Sequence, residues 1–508
     1  MLSRVHTCSL LGIDAILVEV ETDLSPGLPY FSTVGLPDNI VRESKDRVKT
    51  ALQNSGYAFP ADRITVNLAP ANVRKEGAGF DLPIAVGILA ATGAVKRNGA
   101  WPVMAGELSL DGRVKAVTGA LPMALQARAS GFSEIVLPAA SAPEAAVVEG
   151  IAVIAVRTLA EVVEYLNGRL ALEPAASDPA AHLLSHVPED ADFSEVKGQE
   201  HAKRGLEIAA AGGHNVLMIG PPGSGKTMLA QRLPGILPPP TFEEALETSK
   251  VFSVAGLLEG KPLLARRPFR APHHTISDAG LVGGGHSPRP GEVSLAHNGV
   301  LFLDEFPEFR RNILDLLRQP LEDAKVTIAR AAVTLTYPAR FMLVAAMNPC
   351  PCGHLGDPAR ACVCSSVQIA RYRSRISGPI LDRIDLHIDV PAVRYEELRG
   401  GGAGEPSSAV RERVVAARER QLARFSGEGI FCNAAMKPRH LKKFCEPDPA
   451  GARLLEEAVR RLGLSARAYH RILKVARTIA DLEGAETILE GHVAEAAQYR
   501  SWSWERMP

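Results

Sequence analysis

The chain has little of three things that often reveal a partner or a location: charge of one sign, cysteine, and long apolar runs. Its 57 Lys and Arg balance 57 Asp and Glu. The overall charge therefore indicates no polyanionic partner, and any contact with one must be local. No apolar run reaches the roughly 20 residues that a helix needs to cross a bilayer. The sequence thus predicts a protein without membrane-spanning helices.

The first residues, MLSRVHTCSLLGIDAILVEVETD, contain neither a long apolar core nor a small-residue cleavage site. A secretion signal would require both. We therefore expect a cytoplasmic protein with reduced cysteines, because disulfides persist mainly in oxidising compartments.

The composition shifts along the chain predict several domains, since 508 residues are too many for one hydrophobic core. Apolar runs between amphipathic stretches indicate a mixed α/β domain, followed by an Ala-, Pro- and Asp-rich linker. Strand-like runs that alternate with helices then indicate a wound parallel sheet, and helical spacing indicates a small helical domain at the end. These four parts are predicted at residues 1–170, 171–192, 193–395 and 396–508.

The strongest motif is a glycine-rich loop between an apolar strand and a helix, within NVLMIGPPGSGKTMLAQRL. Backbone N–H groups of such a loop wrap phosphate oxygens, and the helix N-terminus adds a favourable dipole. We expect Lys226 to neutralise the β- and γ-phosphates of ATP and Thr227 to bind Mg²⁺. The predicted phosphate loop comprises Gly220, Pro221, Pro222, Gly223, Ser224, Gly225, Lys226 and Thr227.

Polar residues end two further apolar strands. Asp304 and Glu305 follow VLFL, and Asn348 follows MLVAAM. Ligands bind at the carboxyl ends of parallel strands, so we expect Asp304 to hold Mg²⁺ and Glu305 to polarise the attacking water. Asn348 is expected to contact the γ-phosphate or to position that water. A solvated acidic turn and a turn-capping Asn are the simpler explanations of these residues in isolation.

Together these motifs make the chain resemble the magnesium-chelatase-like AAA+ ATPases of the ComM/YifB family over essentially its full length. GPPGSGKT is shared by many NTPases, whereas APHHT and SGPILDRID are far more discriminating. AAMNPCPCG and SARAYHRILKVARTIADL fit the same family. The resemblance implies an AAA+ P-loop parallel sheet with a C-terminal helical lid, and a hexameric ring with ATP bound between subunits.

The resemblance also implies roles for individual residues. Asn348 matches sensor 1, Arg383 the arginine finger and Arg467 sensor 2, while Arg375 is the nearest rival for the finger. Gln199, in VKGQE, lies where such proteins contact adenine. For any single arginine, a surface ion pair is the simpler explanation, and only the family pattern favours these roles.

The N-terminal part resembles the proteolytic domain of Lon, which has an α+β, ribosomal S5-like fold. The matching segments are GELSLDGRVKAVTGALPMALQARASGFSEIVLPA and VRKEGAGFDLPIAVGILAA. A Ser–Lys dyad needs a hydroxyl and a nearby amine. The serine position here is Gly79, and the lysine position is Leu121 or Pro122. We therefore expect a domain without peptidase activity, used for binding, assembly or regulation.

Two segments of the core carry local positive charge. The glycine-rich segment 266–293, which contains Arg270 and Arg289, is predicted to form an exposed hairpin-like loop facing the pore of a ring. A β-hairpin is predicted from EDAKVTIARAAVTLTYPARF, with Lys325 on its first strand and Arg330 near its turn. Repeated around a ring, these charges suit a phosphate backbone without base specificity. A solvated surface explains an isolated charge run equally well.

The adjacent pair His273 and His274 suggests a metal site at first sight. Neighbouring side chains on a strand point in opposite directions, so the two imidazoles cannot readily share one ion. A structural or pore-loop role is the expectation.

Four of the seven cysteines lie within NPCPCGHLGDPARACVCS, at Cys350, Cys352, Cys362 and Cys364. Two Cys-x-Cys pairs make a plausible tetrathiolate set for Zn²⁺, although the spacing is tighter than that of a Cys-x-x-Cys knuckle. Disulfides and a reduced loop without metal remain alternatives. The interpretation we favour is a stabilising zinc clip beside Asn348.

The family resemblance implies an ATP-driven, ring-forming AAA+ motor that acts on DNA and promotes branch migration in recombination or natural transformation. A magnesium-chelatase-like motor and a protein-remodelling ATPase are the alternatives. The Lon-like domain argues against the first alternative, because the chelatase motor subunits of the family lack it. The intact nucleotide motifs argue against an inactive scaffold.

Overall fold

The computed structural model describes residues 1–97, 99–184, 191–285, 288–329, 334–357, 360–393 and 404–500. Within them the chain is an α/β protein in which a mixed sheet, a parallel sheet and a set of helices follow one another. None of the helices in these ranges combines the length and apolar character needed to cross a lipid bilayer.

The N-terminal unit is a mixed sheet covered by helices. Its elements are β1 (Leu2–Leu11), β2 (Asp14–Ser25), β3 (Tyr30–Val34), α1 (Asn39–Asn54), β4 (Arg63–Ala69), α2 (Asp81–Ala91), β5 (Val103–Met104), β6 (Glu107–Leu108), β7 (Val114–Lys115), α3 (Ala120–Ala129), β8 (Glu134–Pro138), α4 (Ala142–Ala145), β9 (Ala152–Val156) and α5 (Leu159–Leu166). The strand order is β3-β4-β2-β1-β5-β8-β9. β1, β2 and β4 pair antiparallel, whereas β5, β8 and β9 are parallel.

Local sequence explains these elements. In β4, Ile64, Val66 and Leu68 are buried and alternate with more exposed residues, as expected of a strand with one face on a core. Helix α1 begins after Asp38, whose carboxylate accepts a hydrogen bond from the Val41 N–H at 2.8 Å and so caps a free backbone donor.

The segment predicted as an aperiodic linker contains a short helix, α6 (Pro179–Leu184). His182 Nε2 lies 2.9 Å from the carbonyl oxygen of Leu263 in the core. A helix of this length has only about one and a half turns. Its residues are too few to show a helical hydrophobic period in the sequence.

The core is built on a parallel sheet. Its elements are α7 (Glu200–Gly212), β10 (Val216–Ile219), α8 (Lys226–Arg232), α9 (Phe242–Ala255), β11 (Phe269–Arg270), α10 (Asp278–Val282), β12 (Gly283–Gly284), β13 (Arg289–Pro290), α11 (Glu292–Leu295), β14 (Val300–Leu303), α12 (Arg311–Leu316), α13 (Arg318–Asp323), β15 (Lys325–Ala329), β16 (Thr334–Pro338), β17 (Met342–Met347), α14 (Ser366–Arg373), α15 (Gly378–Leu381) and β18 (Leu386–Asp389). The strand order is β11-β14-β17-β10-β18.

All neighbours in this core sheet are parallel. Every residue of β10, β14 and β17 is buried, which is why these strands read as continuous apolar runs rather than as alternating ones. Their carboxyl ends meet at one edge of the sheet, and the residues that follow them form the candidate site.

The expectation of an exposed hairpin-like loop over 266–293 describes only part of that segment. Phe269 and Arg270 form β11 and pair with β14, so the segment begins inside the core sheet. The next part folds as α10 and the β12–β13 hairpin. The predicted hairpin before β17 is confirmed as β15 and β16, which pair antiparallel.

The C-terminal part is helical, as predicted. Its helices are α16 (Ser407–Arg424), α17 (Pro438–Phe444), α18 (Pro449–Leu462), α19 (Ala466–Glu483) and α20 (Glu490–Gln498). They share one hydrophobic core with the parallel sheet, in which Ile472 and Ile479 of α19 lie with Leu206 of α7 and Val216 of β10. The helices therefore pack on the sheet as part of the same body.

Candidate nucleotide site

The phosphate loop leaves β10 and enters α8, in the arrangement that the motif requires. Gly223 and Gly225 adopt φ of +75° and +91°, and a Cβ atom at either would meet no atom within 4 Å. At Gly220, by contrast, a Cβ would lie 2.0 Å from the Val390 carbonyl oxygen. The loop thus needs glycine at 223 and 225 for the backbone turn and at 220 for close packing. The open space beside Gly223 and Gly225 leaves room for phosphate.

The Lys226 ammonium lies inside this loop. Its Nζ donates to the carbonyl oxygens of Gly220 at 2.7 Å and Pro221 at 2.8 Å, and lies 3.3 Å from Oδ1 of Asn348. Burial lowers the pKa of Lys226, and the carboxylate of Asp304 acts in the opposite direction. The phosphate loop after β10 and Asn348 at the end of β17 therefore meet at the Lys226 ammonium.

Thr227 and Asp304 also meet. The Thr227 hydroxyl donates to Oδ2 of Asp304 at 2.6 Å, and the Glu305 N–H donates to Oδ1 of the same carboxylate at 2.8 Å. Hydroxyl and carboxylate oxygens are the ligands that Mg²⁺ takes in nucleotide sites. The donor set fits the ion that the motif implies.

Glu305 follows Asp304 with a left-handed backbone, φ +51°, which is uncommon for a residue with a side chain. Its carboxylate is largely exposed and contacts an imidazole, with 3.2 Å between Oε2 of Glu305 and Nδ1 of His274. The rings of His273 and His274 lie in contact, with centroids 4.1 Å apart and planes tilted by 33°, and Nδ1 of His273 lies 2.9 Å from the Thr275 hydroxyl. Sequence reasoning missed the role of His274 as a partner of Glu305.

Gln199 borders the phosphate loop from α7. Its Nε2 donates to the Pro391 carbonyl oxygen at 2.6 Å and to that of Ser224 at 3.3 Å. The backbone at Gln199 is left-handed, φ +60°. The residue therefore bridges the phosphate loop and the end of β18, and its contact with adenine stays a prediction.

The two predicted arginines lie at the opposite edge of the sheet. Asn215 immediately precedes β10, and its Nδ2 donates to the Arg383 carbonyl oxygen at 2.9 Å. The four residues of β10 span about 13 Å at a rise of about 3.3 Å per residue. Nη1 of Arg467 lies 3.8 Å from Oδ2 of Asp382, next to Arg383 in the chain. Arg383 and the contact of Arg467 with Asp382 thus lie at the end of the core sheet away from the phosphate loop of the same chain.

Arg383 itself is buried, with 8% of its surface exposed. It is paired with Glu322 at the end of α13 and donates to the Pro379 carbonyl oxygen. The rival Arg375 is half-exposed and pairs with Glu308 at 2.7 Å. No local sequence pattern indicates Glu322 as the partner of Arg383.

The four cysteines come together. The Sγ atom of Cys350 lies 3.4 Å from that of Cys352 and 3.7 Å from that of Cys362, and all four sulfur atoms lie within 4.8 Å of one another. Tetrahedral Zn–S bonds of 2.3 Å place sulfurs roughly 3.8 Å apart. Backbone N–H groups of His354 and Val363 lower the pKa of the Cys352 thiol to about 6. Among the described residues, the set fits a tetrathiolate zinc site.

The predicted DNA-contacting residues differ in their surroundings. Lys325 and Arg289 are exposed, whereas Arg270 lies in β11 and forms a double hydrogen bond with Glu292 at 2.6 and 2.7 Å. The contact of Arg270 with DNA stays a prediction, for a side chain that is paired with Glu292. Arg330 lies outside the described residues.

In the N-terminal unit, the positions of the missing dyad are structurally ordinary. Gly79 lies in a single turn of 3₁₀ helix, and a Cβ there would meet a methyl group of Val117 at 3.5 Å. Leu121 is fully buried in α3. Neither position supplies a nucleophile or a base, and the likeness to Lon stays a prediction of the sequence.

Comparison with known families covers most of the chain. Residues 192–398 match the family described as magnesium chelatase, subunit ChlI. Residues 20–141 match the family described as subunit ChlI of Mg-chelatase, and residues 404–500 match the ChlI C-terminal family. The three matches fall on the core, the N-terminal unit and the C-terminal helices.

Individual relatives extend this match over nearly the whole length. The chain is 47% identical over 504 residues to the competence protein ComM of Haemophilus influenzae, covering 98% of this chain and 97% of that protein. It is 45% identical over 504 residues to YifB of Escherichia coli, with the same coverage. A more distant relative is the magnesium-chelatase 38 kDa subunit of Rhodobacter capsulatus, 26% identical over 60% of this chain and 85% of that protein. The chain therefore belongs to the ComM/YifB family of magnesium-chelatase-like AAA+ ATPases.

Proposed function

We propose that this protein is an ATP-driven motor that assembles as a ring, hexameric by family resemblance, and acts on DNA to promote branch migration in recombination or natural transformation. The observation that carries the assembly is the separation of the phosphate loop from Arg383 and Arg467, which lie at opposite edges of the core sheet. Hydrolysis needs positive charge near the γ-phosphate beyond the loop lysine, and we expect a neighbouring subunit to supply it.

Each protomer would contribute one half of the reaction site. Lys226 and the loop N–H groups would hold the phosphates, and Thr227 with Asp304 would hold Mg²⁺. Bound Mg²⁺ supplies charge neutralisation between the β- and γ-phosphates. Glu305 would accept a proton from the attacking water, Asn348 would orient that water, and the neighbour's arginines would neutralise charge that develops on the leaving phosphate.

DNA as the substrate is supported by two packed hairpins. Tyr337 of β16 donates to the Pro288 carbonyl oxygen at 2.7 Å, and a Cβ on Gly283 of β12 would lie 3.0 Å from Cδ1 of Ile328 on β15. Arg289 and Lys325 are exposed on these hairpins. The two hairpins therefore pack together and each exposes a basic side chain, which suits a phosphate backbone. The similarity to a competence protein supports the same proposal.

Stimulation of ATP hydrolysis by DNA tests the proposal. We expect single-stranded or forked DNA to raise kcat, with a binding constant that weakens steeply as salt increases. The double variant Arg289→Ala/Lys325→Ala should lose this stimulation and retain basal turnover. Arg460→Ala, on an exposed ion pair with Glu456, is the matched charge-loss control and should behave as the parent.

Absence of DNA stimulation and of salt-dependent binding would contradict the DNA proposal. Stimulation by an unfolded polypeptide instead would favour a protein-remodelling ATPase. The distant similarity to a magnesium-chelatase subunit keeps a chelatase-like motor as the second candidate, and stimulation by a porphyrin-binding partner would support it.

We also propose that Cys350, Cys352, Cys362 and Cys364 hold a structural Zn²⁺. The distances between their sulfur atoms support it, because they match the edges of a thiolate tetrahedron. Metal analysis of protein kept reduced should find one equivalent of zinc per chain, and a Cys362→Ser/Cys364→Ser variant should have lost it. Reduced protein without bound metal would reject the proposal.

A further inference from the structure

The cysteine loop, defined as residues 350–357 and 360–364, packs directly against the phosphate loop. Gly353 has a left-handed backbone, φ +84°, and a Cβ there would lie 2.4 Å from Cδ and 2.7 Å from Cγ of Pro222. Pro222 belongs to the phosphate loop itself. The glycine thus permits a contact that no larger residue could make without displacing the proline ring.

A second connection runs along the chain. Asn348 lies 3.3 Å from the Lys226 ammonium and is followed by Pro349 and the fully buried Cys350. Nη2 of Arg373, on α14, donates to the Pro349 carbonyl oxygen at 3.5 Å. The start of the cysteine loop is therefore the end of the segment that holds the sensor asparagine.

The hydrogen bonds within the loop join near neighbours along the chain or end on the cysteine thiols. Among its described residues, the Gly353 N–H donates to the Cys350 carbonyl oxygen at 3.0 Å, and the Cys352 N–H donates to the Cys364 sulfur at 3.4 Å. Four thiolates within 4.8 Å repel one another unless a cation lies between them. A metal would bind the two Cys-x-Cys pairs together and order the loop.

We propose that metal in the cysteine loop and nucleotide in the phosphate loop bind cooperatively, through the Gly353–Pro222 contact and the Asn348–Cys350 connection. The inference rests on the proposed zinc site. Coupling between the affinities of two sites is reciprocal. Zinc should therefore strengthen ATP binding, and ATP should strengthen zinc binding by the same factor. The metal-bound cysteine loop then stabilises the conformation of the phosphate loop that binds nucleotide.

The first test follows zinc release from the full-length protein with a colorimetric chelator, with and without ATP and Mg²⁺. We expect ATP to slow release about tenfold, the range of typical site-to-site coupling. Because ATP itself binds zinc weakly, Lys226→Ala serves as the control and should show no effect of ATP. Equal release rates with and without ATP in the parent protein would overturn the inference.

The second test uses two glycines with the same backbone. Gly353 and Gly356 have φ of +84° and +81°, but a Cβ at Gly356 would meet nothing within 4 Å. Substitution of either glycine by Ala causes the same backbone strain. Only the new methyl group of Gly353→Ala would clash with the Pro222 ring. We expect Gly353→Ala to weaken binding of a fluorescent ATP analogue about tenfold with zinc retained, and Gly356→Ala to change it less than twofold.

The double variant Gly353→Ala/Pro222→Ala should recover affinity relative to Gly353→Ala, because it removes the ring that the new methyl group meets. Equal affinities of the two glycine variants would contradict the proposed contact even if both proteins fold. Protein that lacks zinc altogether would reject the zinc site, while the glycine comparison would still report whether the two loops are coupled. The two failures are therefore distinguishable.

Discussion

His274 contacts the catalytic carboxylate candidate Glu305, with 3.2 Å between Nδ1 and Oε2. The two residues lie beyond the ends of neighbouring strands. Arg270 of β11 pairs with Leu301 of β14 in a parallel ladder, and His274 and Glu305 each come four residues later in the chain. The histidine segment thereby joins an insertion of the core to the residue expected to activate water.

Removal of this imidazole should impair turnover more than binding. In His274→Ala, the Glu305 side chain loses its partner and samples other rotamers, so we expect kcat to fall about tenfold with KM changed less than twofold. His274→Gln, which keeps a hydrogen-bond donor, should restore most of the rate. Steady-state kinetics checks this, with His273→Ala as the control at an adjacent exposed ring. Equal effects of the two Ala variants would contradict a specific role.

Protomers with complementary defects should restore turnover when mixed. Glu305→Gln and Arg383→Ala should each abolish hydrolysis, because the first lacks the base and the second lacks the cation for its neighbour. In a random equimolar ring, about one junction in four combines an intact Glu305 with an intact Arg383. Turnover at up to about a quarter of the parent rate is therefore expected, whereas no recovery would contradict hydrolysis at subunit junctions.

The buried carboxylate of Asp385 should hold the C-terminal helices to the core. It pairs with Arg471 of α19, accepts from the Asn215 N–H at 2.9 Å and lies 3.6 Å from Nδ1 of His214. Although burial would raise the pKa of Asp385, Arg471 and His214 hold it well below its usual range. Asp385→Asn leaves a buried cation without its partner and should cost about 3 kcal/mol of unfolding free energy.

A matched control exists three residues earlier. Asp382 faces Arg467 of the same helix at 3.8 Å, but both side chains are exposed. Asp382→Asn should cost less than about 1 kcal/mol, because exposed ion pairs contribute little. Urea unfolding monitored by circular dichroism compares the two variants, and equal midpoints would show that burial does not set the energy.

Stability should depend on pH through Glu144 of α4. Burial raises the pKa of this carboxyl to about 7, while its Oε1 accepts from the Ala120 N–H at 3.1 Å. The folded state therefore binds the proton more tightly than the unfolded state does. Stability from this group is fully present below the unfolded pKa near 4.5 and is lost as pH rises to about 7.

Glu144→Gln removes this dependence. We expect the variant to gain up to about 3 kcal/mol relative to the parent at pH 8 and to differ little at pH 5. The site lies beside the contact between the two folded units, where the Gly119 N–H donates to the Ser253 carbonyl oxygen at 3.1 Å. Urea midpoints at both pH values test the prediction, and an equal gain at pH 5 and pH 8 would contradict it.

The phosphate loop and the acids were predictable because their signal is local. A buried strand, a glycine loop and a helix are contiguous in sequence around Lys226, and VLFL ends directly at Asp304. Parallel strands then bring both sets to one edge of the sheet. The fold class followed from the same alternation of apolar runs and helices, together with the family resemblance.

Other features depend on contacts that no local pattern encodes. β11 has two residues, too few for any periodicity, so neither the pairing of Arg270 nor the position of His274 could be read from the sequence. The burial of Arg383 depends on Glu322, 61 residues earlier in the chain. The packing of Gly353 on Pro222 is likewise a tertiary contact between distant segments.

The placement of Arg383 at the amino end of β18, away from the phosphate loop, has a consequence for assembly in the cell. Under the proposed arrangement, an open row of protomers has one nucleotide site without a neighbouring Arg383 at one end and one unused Arg383 at the other. The ATPase rate per chain should then rise with protein concentration. It should rise once more when the row closes into a ring, because the last nucleotide site is then complete. Dilution alone would then lower the rate of ATP hydrolysis per chain.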